Sequence, residues 1–130
     1  MAKRKSLEIE GFAHGRQPIP AACRIGNLIA TGGVYGLDTA TGKMPDDVAL
    51  QAQLMFTNLE RILQAGGATF DHVAKMTVFV KVAEAREAVN AEWVKAFPDP
   101  ASRPARHTLQ NDHLPSNMLV QCEVLAWVDQ

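Results

Sequence analysis

From Leu119 to Val128 the chain alternates with a period of two, and this run constrains the fold more than any other stretch. Val120, Cys122, Val124, Ala126 and Val128 fall on one side, while Leu119, Gln121, Glu123, Leu125 and Trp127 fall on the other. Strand side chains alternate faces, so the run predicts a β-strand with a uniformly apolar face packed on helices. The opposite face mixes Gln121 and Glu123, about 6–7 Å apart along the strand, with Leu119, Leu125 and Trp127. Three large apolar groups are too many for a purely solvated face. It is expected to be partly buried, in a cleft or against another subunit.

The rest of the chain supplies what that strand needs. Residues 6–13 alternate weakly and predict a first, edge strand. Gly15–Pro20 carries two prolines and reads as a rigid loop. Ala21–Ile25 and Leu28–Val34 form a hairpin across Gly26-Asn27. Gly32-Gly33 interrupts its second strand, as a bulge or as backbone bared for close ligand approach. Asp38–Pro45 reads as a surface turn. Asp46 or Asp47 caps a helix whose Ala52, Met55, Phe56, Leu59, Ile62 and Leu63 form one face, with Gln53, Asn58, Glu60 and Arg61 largely off it. Gly66-Gly67 stops that helix. Val73–Val82 predicts a strand and Ala85–Ala96 a shorter helix with Ala88, Val89 and Trp93 inward. Pro98, Pro100 and Pro104 extend the link to the C-terminal stretch. The expected fold class is α+β, a mixed sheet with two helices on one face, in one domain spanning 1–130. The other sheet face, with Phe79 and Leu125, is expected to close by self-association.

Composition excludes several functions. The formal charge is −1 and only eight residues are aromatic, so nothing marks a nucleic-acid surface. No apolar core for a signal peptide follows Ala2-Lys3-Arg4-Lys5, and no run approaches a membrane span. Cys23 and Cys122 lie in strand-like runs without metal-ligand spacing, which fits a reduced, cytoplasmic protein. His14, His72, His107 and His113 show no ligand pairing, so no metal is expected. No serine elbow, phosphate-binding glycine loop or redox cysteine pair is present.

Arg106 is the outstanding candidate. Two nearby prolines fix its backbone, and a guanidinium there offers a planar fork for a carboxylate or phosphate. The competing reading is a structural ion pair. A series of short motifs favours the first: Pro18, Ile25-Gly26-Asn27, Thr31-Gly32-Gly33, Asp38 with Thr41-Gly42, Ala65-Gly66-Gly67-Ala68, Val73 with Lys75, Val89-Asn90, Phe97, Pro104-Ala105-Arg106 and Leu114-Pro115. In this order and spacing the chain resembles the YjgF/RidA family, also called the endoribonuclease L-PSP or reactive intermediate deaminase family.

That resemblance implies a chorismate-mutase-like fold and a homotrimer with sites in clefts between subunits. It implies no cofactor. The family's deaminating members hydrolyse 2-imino or 2-enamino acids to 2-keto acids and ammonia. Their motif arginine grips the substrate carboxylate, and Arg106 stands there. Gly32 matches the glycine of the first cleft strand and Asn90 the asparagine of the second helix. The candidate binding set is Arg106, Gly32, Gly33, Asn90, Ile19, Thr108 and Glu123, with Arg106 and Gln121 as the catalytic pair. Two positions depart from the family. Ile19 replaces a cleft tyrosine, and Gln121 replaces the water-positioning glutamate fifteen residues after the arginine. An amide orients water but cannot take its proton. The implied function is therefore binding of a small carboxylate-bearing metabolite, with deamination as the activity. The alternative is a non-catalytic metabolite-binding trimer, and the family's ribonuclease or translation-inhibitor label ranks below both.

Overall fold

The computed structural model describes residues 3–129. Met1, Ala2 and Gln130, which belong to the expected 1–130 domain, lie outside them. The strands are β1 (Lys5–Leu7), β2 (Ala22–Ile25), β3 (Leu28–Thr31), β4 (Val34–Tyr35), β5 (Val73–Val80), β6 (Ala105–Gln110) and β7 (Val120–Trp127). Two helices, α1 (Val48–Ala65) and α2 (Glu84–Ala96), separate β4 from β5 and β5 from β6. The sheet runs β1-β2-β3-β7-β5-β6, with β4 also on β7. Among the described residues only β5 and β6 pair in parallel; the other pairings are antiparallel. The mixed α+β architecture is the expected one.

The alternation in β7 dictates its place. Val120, Cys122, Val124 and Ala126 are essentially inaccessible, and Val128 just beyond is buried too. They pack with Met76, Val78 and Val80 of β5 in the same core as the inward stripe of α1 and Val89 and Trp93 of α2. Each fully buried side chain of this size contributes roughly 1.5–3 kcal/mol. The opposite sheet face is open in the single chain. Ile25, Leu109, Leu125 and Trp127 are exposed there, Trp127 by 57 %. No helix among the described residues is long and apolar enough to cross a membrane.

Several local expectations needed correction. The first strand covers Lys5–Leu7, not residues 6–13. Beyond Leu7 the ladder to β2 ends, with Ala21 N donating to the Glu8 carboxylate at 3.2 Å. The chain then turns at Gly11, whose φ is +83° at a point where a β-carbon would meet the Thr39 carbonyl. Strand β5 stops at Val80, short of Val82. The Lys81 N–H turns to the Leu119 carbonyl, and Val82 already accepts from Ala85 N in the first turn into α2. Helix α1 is capped by Asp47, whose carboxylate accepts from Leu50 N at 2.9 Å. Asn58 does not lie off the buried face. It is 2 % exposed, and its Nδ2 donates to the carbonyls of Tyr35 and Leu37, both at 2.9 Å. Gln51, two helical turns earlier, is fully buried as well.

Candidate functional site

Two groups of candidate residues form, one on each side of the sheet. The first is built where α2 returns over the start of β6. Arg106 pairs in register with Met76, so its side chain leaves on the helix side and rises beside α2. There its Nη2 donates to Asn90 Oδ1 at 2.7 Å, and its Nε donates to Thr108 Oγ1 at 3.0 Å. The guanidinium carbon stands 4.9 Å from the centroid of the Trp93 ring, within cation–π range. Asn90 and Trp93 are three apart on α2 and Arg106 and Thr108 two apart on β6, so each pair shares one face of its element. Burial first, and then the charge of Arg86, lower the pKa of Arg106 from the usual arginine value. Among the described residues the one ion pair joins Lys95 to Glu92. Arg106 is thus held on two hydrogen bonds and an aromatic face, without a carboxylate partner and with guanidinium N–H groups left over.

The second group lies at the break between β3 and β4. Ala30 pairs with Leu125 and Val34 with Cys122, so three residues, Thr31 to Gly33, face only Glu123 and Val124. This is a β-bulge, with the Thr31 hydroxyl accepting from Val124 N at 2.9 Å. The space beside Gly33 is not bare. A β-carbon there would stand 2.7 Å from Gln121 Cδ, so glycine is what lets the Gln121 side chain lie across the strand. The Gln121 amide also reaches Met118 Sδ at 3.6 Å. His14 Nε2 donates to the Gly33 carbonyl at 2.6 Å, leaving Nδ1 buried without a partner. A cleft of roughly 420 Å³ is lined by His14, Tyr35, Met44, Pro115, Met118 and Gln121. Burial pushes the Tyr35 phenol up, so it stays neutral, and its hydroxyl donates to the Ala13 carbonyl.

Arg106, Asn90 and Thr108 therefore come together, as do Gln121 and Gly33, with the open side of neighbouring Gly32 toward His14 and the Ala21 carbonyl instead, but the two groups do not meet within one chain. Gln121 pairs with Phe79 and projects from the open face. Glu123 is exposed on that same face, and Ile19 is 52 % exposed on the loop before β2. Cys122 is buried, and burial, then the Glu123 charge, drives its thiol pKa far upward, so it is inert. Trp93 was legible only as a core residue, though its i+3 spacing from Asn90 places it beside any partner of that amide. No sequence signal marks His14, Tyr35 or Met118 as neighbours of Gln121.

Among the described residues no three of His, Cys, Asp or Glu gather as a metal site. The endoribonuclease L-PSP family model matches residues 16–128. A RutC family protein of Haemophilus influenzae is 33 % identical over 111 residues, covering 84 % of this chain and 85 % of that protein. The 2-iminobutanoate/2-iminopropanoate deaminase of Escherichia coli is 31 % identical over 123 residues, 94 % of this chain and 96 % of the enzyme. The crystal structure of Escherichia coli TdcF with bound serine superposes with a TM-score of 0.86 at 25 % identity, covering 96 % of this chain and 99 % of that one. With its family match running over nearly the whole sequence and its fold reproduced in solved relatives, the chain belongs to the YjgF/RidA, or endoribonuclease L-PSP, family.

Proposed function

We propose that this protein is a homotrimeric imine deaminase that hydrolyses small 2-imino or 2-enamino acids to 2-keto acids and ammonia. The observation that carries the reading is Arg106. It is charged, fixed by Asn90, Thr108 and Trp93, and free of any carboxylate partner among the described residues. A guanidinium held ready in this way favours a bidentate carboxylate, as every 2-imino acid carries. The names of the Escherichia coli deaminase and the serine-bound TdcF support the same substrate class.

In the reaction, water adds to the iminium carbon and the C=N electron pair passes to nitrogen. The C–N bond then breaks, the water's protons end on the departing amine, and a keto acid and ammonium remain. On this reading Gln121, supplied from the open face of a neighbouring subunit, orients the water by hydrogen bonding. Proton uptake falls to the departing nitrogen, because the amide cannot serve.

A second reading, a metabolite-binding trimer without catalysis, is favoured by Gln121 itself. The deciding experiment generates an imine in situ with an amino-acid oxidase and measures its decay with and without the protein. The deaminase reading expects acceleration by the wild type and none by Arg106→Ala. Decay no faster than in buffer, alongside Arg106-dependent binding of 2-keto acids, would leave the binder.

A further inference from the structure

Tyr35 stands directly across the β4–β7 ladder from Gln121, so the two side chains leave the sheet on the same open face. Both line the cleft of roughly 420 Å³, with His14, Met44, Pro115 and Met118. That volume falls in the range of small-molecule pockets, about 300–1,000 Å³. Among the described residues no lysine, arginine, aspartate or glutamate lines it. A charged group entering it would lose hydration without gaining a counter-charge. Two rings, two thioethers and a proline suit an apolar or aromatic group instead.

The walls are held by the chain itself. Phe12 is buried in the core, and its ring centroid lies 5.5 Å from that of His14 and 5.0 Å from that of Tyr35. His14 Nε2 donates to the Gly33 carbonyl and the Tyr35 hydroxyl to the Ala13 carbonyl, which fastens this aromatic wall to the β3–β4 bulge. On the thioether side, Asn117 Nδ2 donates to the Met44 carbonyl at 2.9 Å and joins the turn before α1 to the Pro115–Met118 segment. Met118 is buried, and its sulfur is the atom that the Gln121 amide reaches. Walls fixed in this way offer contacts at little ordering cost.

The deaminase reading gives Gln121 the attacking water, so the imine carbon must lie beside its amide. That carbon is trigonal, and its carboxylate and side chain point apart. With the carboxylate drawn to an Arg106 across the interface, the side chain turns back over the chain that supplies Gln121. The space open there is this cleft. We propose that it is the substrate's side-chain pocket, that it selects 2-imino and 2-keto acids with a bulky, uncharged apolar or aromatic side chain, and that Met44 is a specificity-determining residue in its wall. A methyl group would leave most of the lining without contacts, whereas an isobutyl or benzyl group would fill it. This deepens the deaminase reading and rests on its placement of the carboxylate at Arg106 and the water at Gln121.

The test compares binding of stable 2-keto acids by calorimetry: phenylpyruvate and 4-methyl-2-oxopentanoate against pyruvate, with 2-oxoglutarate as the charged control. The wild type is expected to bind the two large apolar acids about 10–100-fold tighter than pyruvate, the scale of burying one such side chain. It should bind 2-oxoglutarate no tighter than pyruvate. Met44 is half-buried in a turn. Met44→Trp fills the cleft and Met44→Ala strips contacts from its wall, so each should narrow the gap by at least about threefold. Thermal melts show which variants are folded, and the alanine variant decides where the tryptophan variant does not fold. Equal affinity for large and small acids in the wild type, still abolished by Arg106→Ala, would overturn this proposal and leave the deaminase reading standing. A gap unchanged in the folded Met44 variants, or 2-oxoglutarate bound more tightly than the apolar acids, would also overturn it. Failure of every keto acid to bind the wild type would remove both readings together.

Discussion

Gln51→Ala should be among the most damaging single changes outside the apolar core, and its cost follows from the contacts. Gln51 is fully buried on α1. Its Nε2 donates to the carbonyls of Pro45 at 2.7 Å and Asn117 at 2.8 Å, and its Oε1 accepts from Leu119 N at 2.8 Å. One side chain thus ties the turn before α1 to the segment that launches β7. Alanine removes three hydrogen bonds, each about 1 kcal/mol net, and strands partners at about 1–3 kcal/mol where water cannot replace the lost bond. The Asn117 carbonyl is near the surface and regains water; the half-buried Pro45 carbonyl and Leu119 amide regain little. A cost of about 3–5 kcal/mol results, once the small cavity is included. For 130 residues, an unfolding entropy of about 2.1 cal/mol/K per residue converts this to a Tm drop of about 11–18 °C. Thermal melts by circular dichroism at one fixed protein concentration read it directly. Gln51→Met, which refills the volume but makes no hydrogen bond, should recover only about 1 kcal/mol. A drop under about 4 °C for alanine, or full recovery by methionine, would refute the assignment of stability to these hydrogen bonds.

Two functional predictions accompany it. Gln121→Glu should accelerate imine hydrolysis by about 10²–10⁴-fold if proton uptake from water limits the wild type. An unchanged or slower rate would mean that water is oriented rather than deprotonated in this cleft. Asn90→Ala removes one of the two hydrogen bonds that hold Arg106, and should weaken 2-keto acid binding about 5–30-fold. It should leave Tm nearly unchanged, because Asn90 is exposed; unaltered affinity would show that Trp93 and Thr108 position the guanidinium alone.

Elements whose apolar pattern repeats were legible in the sequence: β7 by its alternation, α1 by its stripe, and the β2–β3 hairpin by its turn. Asn58 and Gln51 were misplaced or unremarked because a polar residue on a helix stripe normally faces water. Here both serve backbone groups distant in sequence, the carbonyls of Tyr35 and Leu37 and the segments at Pro45 and Leu119. Those partners are set by tertiary contacts, which local periodicity does not encode. Gly33 was read as a bulge or a bared backbone. The Gln121 side chain occupying its missing β-carbon volume depends on the β4–β7 register, and that register is equally invisible in the sequence. The fixed start of β6 at Arg106 was legible from the prolines before it, whereas the Trp93 ring beside its guanidinium was hidden behind an ordinary core role.

The separation of Arg106 from Gln121 carries the strongest consequence for assembly. Arg106 is in register with Met76 and Gln121 with Phe79, both on β5. Three residues apart along one strand is an odd number, so the two side chains leave opposite faces of the same sheet. No rotamer brings them together in one chain. If the proposed reaction needs both, each cleft must take Arg106 from one subunit and Gln121 from the next, as a closed cyclic trimer provides. Arg106→Ala and Gln121→Ala chains should then be weak when separate and complement each other when mixed. In a random equal mixture, about a quarter of the clefts would pair an intact Arg106 with an intact Gln121. Subunit exchange is followed by native mass spectrometry, and hydrolysis of the in situ imine is measured before and after. Activity should rise with the fraction of mixed trimers. Exchange to a full mixture with no gain would refute a site shared across the interface. Gln121→Ala that alone retains wild-type activity would refute the role given to the open face.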